Sequence, residues 1–433
     1  MRFRFLPLLS VLAAVPVWAD GAAALQAMKL AREASAMIEA QEFAPAAEKL
    51  EVAIGLRPDF PPRYLELASA QAGAKQDAAA LESLHRFAGF GFLASIERSP
   101  EFAGLRSRRE FQDLVKRVAA NGHPKGPGEV AFSLRDITGR MEGIAWREKT
   151  GEFLFGDVNG RAIWVRRQDG ALRRLTAEDD GLFGVFGLAL DESAGVVWAA
   201  TSAVPAMRGF SPEQAGRSAL AEIELETGAV RRLIPVPRAA GSEGTNLLSD
   251  VALGPDGSVW LIDGGQPLLW RLPPGGSALE RAIESAEFFV LQGLTILPSG
   301  IILVADQVNG LVCVDPERRQ ARHLMPPANA TLGDINSLTL APDGSVLALQ
   351  TGTRPNRVLR VSLEPEAEGI ARVTVLESGH VAMGAPSLGC IGPEGDFYFV
   401  GHAGWSRFAA GDGTPTAPRQ VPIFRTKLPK PRQ

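Results

Sequence analysis

The sequence predicts a mainly β fold, a six-bladed β-propeller over residues 129–428 preceded by an α-helical domain. Three observations carry this. Three passages can be laid on one another: S-D-V-A-L-G-P-D-G-S-V-W-L-I-D from Ser249, Q-G-L-T-I-L-P-S-G-I-I-L-V-A-D from Gln292, and N-S-L-T-L-A-P-D-G-S-V-L-A-L-Q from Asn336. Each is an apolar run, a Pro-x-Gly turn and a second apolar run, the pattern of two antiparallel strands joined by a tight hairpin. Their turn glycines, Gly257, Gly300 and Gly344, are spaced by 43 and 44 residues, and a hairpin recurring every ~40–50 residues is a propeller blade. The unit also continues outwards, to a turn at Gly395 and, upstream, to turns at Gly195 and Gly151, which makes six blades. The wider gap between Gly195 and Gly257 holds an insertion, because no further hairpin fits in it.

In chain order, residues 1–19 have Arg2 and Arg4 at the start, an apolar run from Phe5 to Val17, and Val17-Trp18-Ala19 before a cleavage point. This reads as a secretory signal peptide. The run is shorter than the ~20 residues that span a bilayer. A periplasmic or secreted location is therefore expected, with no membrane insertion after cleavage.

Residues 20–120 are rich in Ala, Leu and Glu with helical periodicity. Ala46, Leu50, Ala53 and Pro58 recur as Ala80, Leu84, Phe87 and Phe92, an offset of 34 residues. That period resembles the tetratricopeptide repeat. About two repeats are visible, and fewer than ~3 rarely stand alone, so this domain is expected to lean on the propeller. A further helical stretch, Ser99 to Val118, is available as a cap. A packing role is favoured over a peptide-binding groove. Residues 121–128 read as a Gly- and Pro-rich linker. The strand Val130–Leu134 pairs with the last one, Val421–Leu428, in the expectation that joining the chain ends closes the ring and removes exposed edges. Residues 429–433 are a tail.

Composition sets few limits. The 433 residues carry a net charge of −4, and no basic run points to nucleic acid. Cys313 and Cys390 sit on apolar strand patterns with no metal-type spacing, and read as buried free thiols.

Blade geometry locates the chemistry. Inner strands start, and second strands end, on one face of the disc, around the mouth of the central channel. The starts are Glu142, Phe186, Ser249, Gln292, Asn336 and Ser387; the ends include Asp157, Ser202, Asp263, Asp306, Gln350 and His402. Such a ring serves a metal site, a sugar-like ligand site or a water-filled plug. Connections over the same face, notably Ala203–Ser218 and Pro235–Leu248 with Arg238 and Glu243, are where a rigid scaffold carries function.

M-E-G-I-A-W followed by F-G-D-V-N-G-R-A-I-W-V-R-R-Q-D-G resembles the opening of the senescence marker protein / gluconolactonase / luciferin-regenerating enzyme family. The three aligned passages are similar to its later motifs, so the resemblance covers residues 130–410. It implies a divalent cation, Ca²⁺ or Zn²⁺, at the channel mouth and a metal-bound water that opens a sugar lactone. By position the metal ligands are Glu142, Gln292 and Asn336, the catalytic residues Asn336 and Asp250, and the substrate contacts Ser249 and Asp250. Asp306 and His402 are further substrate-side or base candidates. Only Glu142 and Asp250 match the family pattern unchanged. A hard dication prefers charged oxygens, and an amide at position 336 cannot accept a proton from water. Two functions therefore stand beside each other: a metal-dependent hydrolase of a lactone or small ester, and a non-catalytic propeller that binds a small polar molecule or a protein partner.

Overall fold

The computed structural model describes residues 21–237, 245–404 and 417–429. The signal-peptide reading, and Arg238 and Glu243, lie outside the described residues. Six four-stranded antiparallel sheets form the propeller. Blade one runs through Met141–Arg147, Glu152–Asp157, Ala162–Arg166 and Leu172–Arg174. Blades two to five span 184–235, 248–284, 291–324 and 335–378. Blade six takes its three inner strands, Gly389–Ile391, Phe397–Val400 and Arg419–Thr426, from the end of the chain. Its outermost strand is Glu129–Ile137, paired in antiparallel register from Glu129↔Arg425 to Ile137↔Arg419. The two ends of the propeller segment thus hydrogen-bond to each other and the disc has no break.

Alternation along each strand builds the core. In blade four Leu303 and Ala305 face blade five, packing with Leu338 and Val346. Ile302 and Val304 face blade three, packing with Trp260 and Ile262. A strand with period 2 and neighbours on both sides is apolar throughout, and this is why second strands such as Ile302–Asp306 are buried at every position.

The helical domain is two antiparallel pairs: α1 (Gly21–Glu39) with α2 (Phe43–Leu56), and α3 (Pro61–Gly73) with α4 (Asp77–Gly89). The residues that recur at 34, Ala46, Leu50 and Ala53 against Ala80, Leu84 and Phe87, are all buried. The stretch expected as one capping helix is a short 3-10 turn, Pro100–Leu105, and then α5 (Arg109–Ala120). Phe102, Leu105, Phe111, Leu114 and Val118 from it close the cluster around Leu84 and Phe87. Among the described residues no helix is long and apolar enough to cross a membrane.

This domain sits on the face of the disc where the inner strands begin, over blades four and five. The backbone N–H of Gly21 donates to Glu287 Oε1 at 2.8 Å. Arg57, buried and held by both oxygens of Asp59 at 2.8 and 2.9 Å, donates to Asn309 Oδ1 at 2.8 Å and to the Val308 carbonyl. Arg357 donates to the Phe90 carbonyl at 2.8 Å and stacks 3.7 Å from the centre of the Phe92 ring. Residues 121–128 are not a free tether. Lys125 and Ser378 exchange both backbone hydrogen bonds, at 2.9 and 3.1 Å. Gly126, at φ +93°, lies where a Cβ would stand 2.1 Å from the Leu376 carbonyl. Beneath this strap the Glu377 carboxyl is buried and accepts from Thr426 Oγ1. Burial pushes its pKa up to about 7.

Candidate functional site

The inner strands of blades one to five enter their sheets through a bulge. In blade three Leu248 pairs with Asp263 and Asp250 with Ile262, which leaves Ser249 unpaired. Gln292 and Asn336 are the unpaired residues of blades four and five in the same way. A bulge re-aims a side chain that a regular ladder would commit, and here it happens at the channel mouth in successive blades. Glu142, Ser249, Gln292 and Asn336 are each the second residue of their inner strand, because the hairpin repeat fixes the strand starts.

Contacts run round this ring from blade to blade. Ser249 Oγ donates to the Gln292 carbonyl at 3.3 Å. Asn336 Nδ2 donates to the Pro386 carbonyl at 3.1 Å, and the Leu388 N–H donates to the Glu142 carbonyl at 3.3 Å. One residue further in, the strands approach more closely still. A Cβ on Gly143 would stand 2.2 Å from the Phe186 carbonyl, one on Gly187 2.5 Å from Asp250 Oδ1, and one on Gly293 2.9 Å from the Ser337 Cα. Glycine is required here because backbone meets backbone. This level, where neighbouring inner strands meet backbone to backbone, is the waist of the channel.

Asp250 lies in that waist, 7 % exposed. Its Oδ1 accepts from the Val251 N–H at 2.9 Å and its Oδ2 from the Leu294 N–H at 3.1 Å. Burial pushes its pKa up to about 7, although both hydrogen bonds pull the other way. Beyond it the channel holds a cavity of about 330 Å³. Its walls are the inner-strand residues that follow the mouth ring, so the room lies on the far side of the waist.

The strand-end set has a structural task. Asp306, expected on the substrate side, is fully buried and accepts four backbone N–H groups, from Phe289, Val290, Val308 and Asn309, at 2.6–3.0 Å. Asp157 and Asp263 clip their turns similarly, and each also accepts from an indole, Trp164 and Trp270, at 3.2 Å. Asp306 has all of its about four acceptor positions filled, and Asp157 and Asp263 have three filled, so these carboxylates are committed to the fold. D-V-N-G, D-G-G and D-Q-V-N-G are Asp-turn sequences, and that is the signal that distinguishes them from ring residues. His402 lies two residues past its strand, where Nδ1 accepts from the Ala385 N–H at 3.0 Å and anchors the 379–386 loop.

The residue the sequence reasoning passes over is Arg140. It is fully buried, its Nε lies 3.5 Å from Glu142 Oε2, and its guanidinium stands 5.7 Å from the centre of the Phe186 ring. Burial lowers its pKa to about 10, with Glu142 and Asp157 resisting the shift, so it is cationic at neutral pH. Arg140 and Glu142 are two apart on an extended segment, which puts them on one side. The cation facing Glu142 is therefore the protein's own. A Ca²⁺ or Zn²⁺ held by Glu142, Gln292 and Asn336 would have one charged ligand, already paired, and a guanidinium beside it. Among the described residues no three His, Cys, Asp or Glu side chains converge. This donor set does not fit a divalent metal. What remains at the mouth is hydrogen-bonding capacity: Asn336 Oδ1 and Ser387 Oγ are buried and have no partner among the described residues. Cys313 and Cys390 are free thiols.

No protein-family model matches the chain, and no curated protein matches it significantly. Solved structures similar in shape include a putative gluconolactonase, at 20 % identity over 74 % of this chain and 99 % of that one, TM-score 0.44. A gluconolactonase from Xanthomonas campestris matches at 17 % identity over 67 % and 88 %, TM-score 0.44. Virginiamycin B lyase from Staphylococcus aureus matches at 15 % identity over 64 % and 82 %, TM-score 0.45. The fold itself rests on the strand pairings described above.

Proposed function

We propose that this gluconolactonase-like propeller is an exported protein that binds a small, hydroxyl-rich molecule at its channel mouth, without a divalent metal. The observation that carries the reading is the pair of buried, unsatisfied polar atoms, Asn336 Oδ1 and Ser387 Oγ, beside the Arg140–Glu142 ion pair. A buried acceptor without a donor costs about 1–3 kcal/mol, and a ligand hydroxyl, which both donates and accepts, removes that cost at each. The hydrolase reading keeps the same mouth and needs a base. Asp250 has a suitable proton affinity, but the one charged residue of the proposed metal set, Glu142, is paired with Arg140.

Calorimetry with a panel of aldonic acids, their lactones and the parent sugars tests this. Binding of one class is expected, unchanged by EDTA, and weakened about tenfold in Ser387→Val, the loss of one hydrogen bond's worth of affinity. Failure of the whole panel to bind would remove the ligand reading. Lactone hydrolysis abolished by EDTA and restored by Ca²⁺ would establish the metal-dependent hydrolase instead. Export is tested by mass spectrometry of protein from the secreted or periplasmic fraction, where a mature chain starting at Asp20 is expected.

A further inference from the structure

The mouth reading leaves the far half of the channel without a role. This half is a cavity of about 330 Å³ beyond the waist, at the lower end of the range for small-molecule pockets. Apolar side chains, Trp146, Leu190 and Leu340 among them, line it together with the hydroxyl-bearing Thr295 and Thr339 and strand backbone, so its surface is mixed, with polar atoms in the majority. Thr339 Oγ1 is committed to the Gly389 carbonyl at 3.1 Å. One carboxyl faces this space, that of Asp250. Each of its oxygens accepts one backbone N–H, and a carboxylate has about four acceptor positions, so two are left for a ligand.

We infer that the far half of the channel is a second binding site, for a small primary amine with an apolar body whose ammonium pairs with Asp250. The apolar side chains in its wall suit a short apolar body, and its single carboxylate suits one cationic donor. A buried carboxylate without a counter-charge is unfavourable, and the amine supplies that charge where the protein does not. Gly187 brings the neighbouring strand of blade two against Asp250, and blade four offers only the Leu294 N–H. The other titratable group lining the cavity is Cys390, whose thiol burial keeps protonated. Asp263, in the same blade, is fixed away from the cavity by Leu247, Gly265 and Trp270. The Arg140–Glu142 pair belongs to the mouth ring.

The site binds the amine to the ionised carboxylate, so binding below the Asp250 pKa of about 7 requires a proton to leave. The experiment is calorimetry on the full mature chain with hexylamine and phenethylamine, and with 1-hexanol as the uncharged match. The amines should bind, with affinity rising about tenfold from pH 6 to pH 8, as the binding-competent ionised fraction grows. Hexanol should bind more weakly and without pH dependence. Asp250→Asn should abolish the pH dependence, and Ala252→Phe, which fills the cavity from its wall, should block the amines in a chain that retains Asp250. Ser387→Val should leave amine binding intact, which separates this site from the mouth. Absence of amine binding, binding that ignores pH, or loss of binding in Ser387→Val would each overturn the inference.

Discussion

At the scale of single residues the mouth is governed by a pair two positions apart. Glu142 offers a carboxylate to the channel and Arg140 neutralises it from a fully buried position. Removing one partner of a buried pair leaves the other uncompensated, at a cost of about 3–5 kcal/mol. Glu142→Gln should therefore lower the denaturant midpoint markedly, while replacing both residues with Met should recover much of the loss. Asn336→Asp adds a carboxylate but not the removal of the guanidinium, so calorimetry should detect no Ca²⁺ binding in that variant. Tight Ca²⁺ binding there would show that Arg140 yields its place. Asp306→Ala removes the acceptor of four backbone N–H groups. It should cost several times the ~1 kcal/mol of a single hydrogen bond, read as a lower Tm, with ligand affinity at the mouth unchanged.

At the scale of elements the decisive features are the bulges that start the inner strands of blades one to five and the glycines beside them. Gly143→Ala would place a methyl 2.2 Å from the Phe186 carbonyl. Because that neighbour is backbone of the next blade, relief requires the two inner strands to separate. Overpacking of this kind costs about 1–3 kcal/mol, measurable by thermal unfolding. A loss below about 0.5 kcal/mol would mean that the waist is looser than its contacts imply. The helical domain depends on its partner in the same way: Arg57 reaches Asn309 and Val308 in blade four as well as Asp59 in its own domain. A fragment of residues 20–120 should be partly unfolded by circular dichroism. Residues 121–128, by contrast, belong with the propeller, since they cover Glu377 and pair with Ser378. Gly- and Pro-rich composition predicts an irregular path but not whether that path is packed.

For the whole molecule, two buried carboxyls set an acid-favoured stability. The pKa values of Asp250 and Glu377 are both raised to about 7 by burial. In the unfolded chain such groups titrate near 4, so between pH 4 and 7 the folded state holds the extra protons. Their stabilising contribution is complete below pH 4 and is lost as pH rises through 7. The chain should therefore be more stable to denaturant at pH 5.5 than at pH 8. The variant combining Asp250→Asn with Glu377→Gln should flatten that difference. A double variant with the same pH dependence as the wild type would show that neither carboxyl is held protonated in the fold.

The sequence by itself determines the hairpin period, the number of blades, the closing of the ring by the chain ends and the positions that surround the channel mouth. These are local patterns, fixed by strand alternation and turn glycines within about forty residues. It also places Glu142, Ser249, Gln292 and Asn336 at the mouth, because a strand start is legible from its hairpin. Only the tertiary structure decides what those residues face. That Arg140 rather than a metal meets Glu142, that Asp306 is spent on backbone N–H groups, and that Asp250 stands in a waist with a cavity beyond it depend on how six inner strands approach one axis. The Asp250 contacts with Gly187 and Leu294 join residues more than 40 positions apart in the chain, and even the pair two positions apart, Arg140 and Glu142, is buried only by the packing of neighbouring blades, which no local pattern encodes.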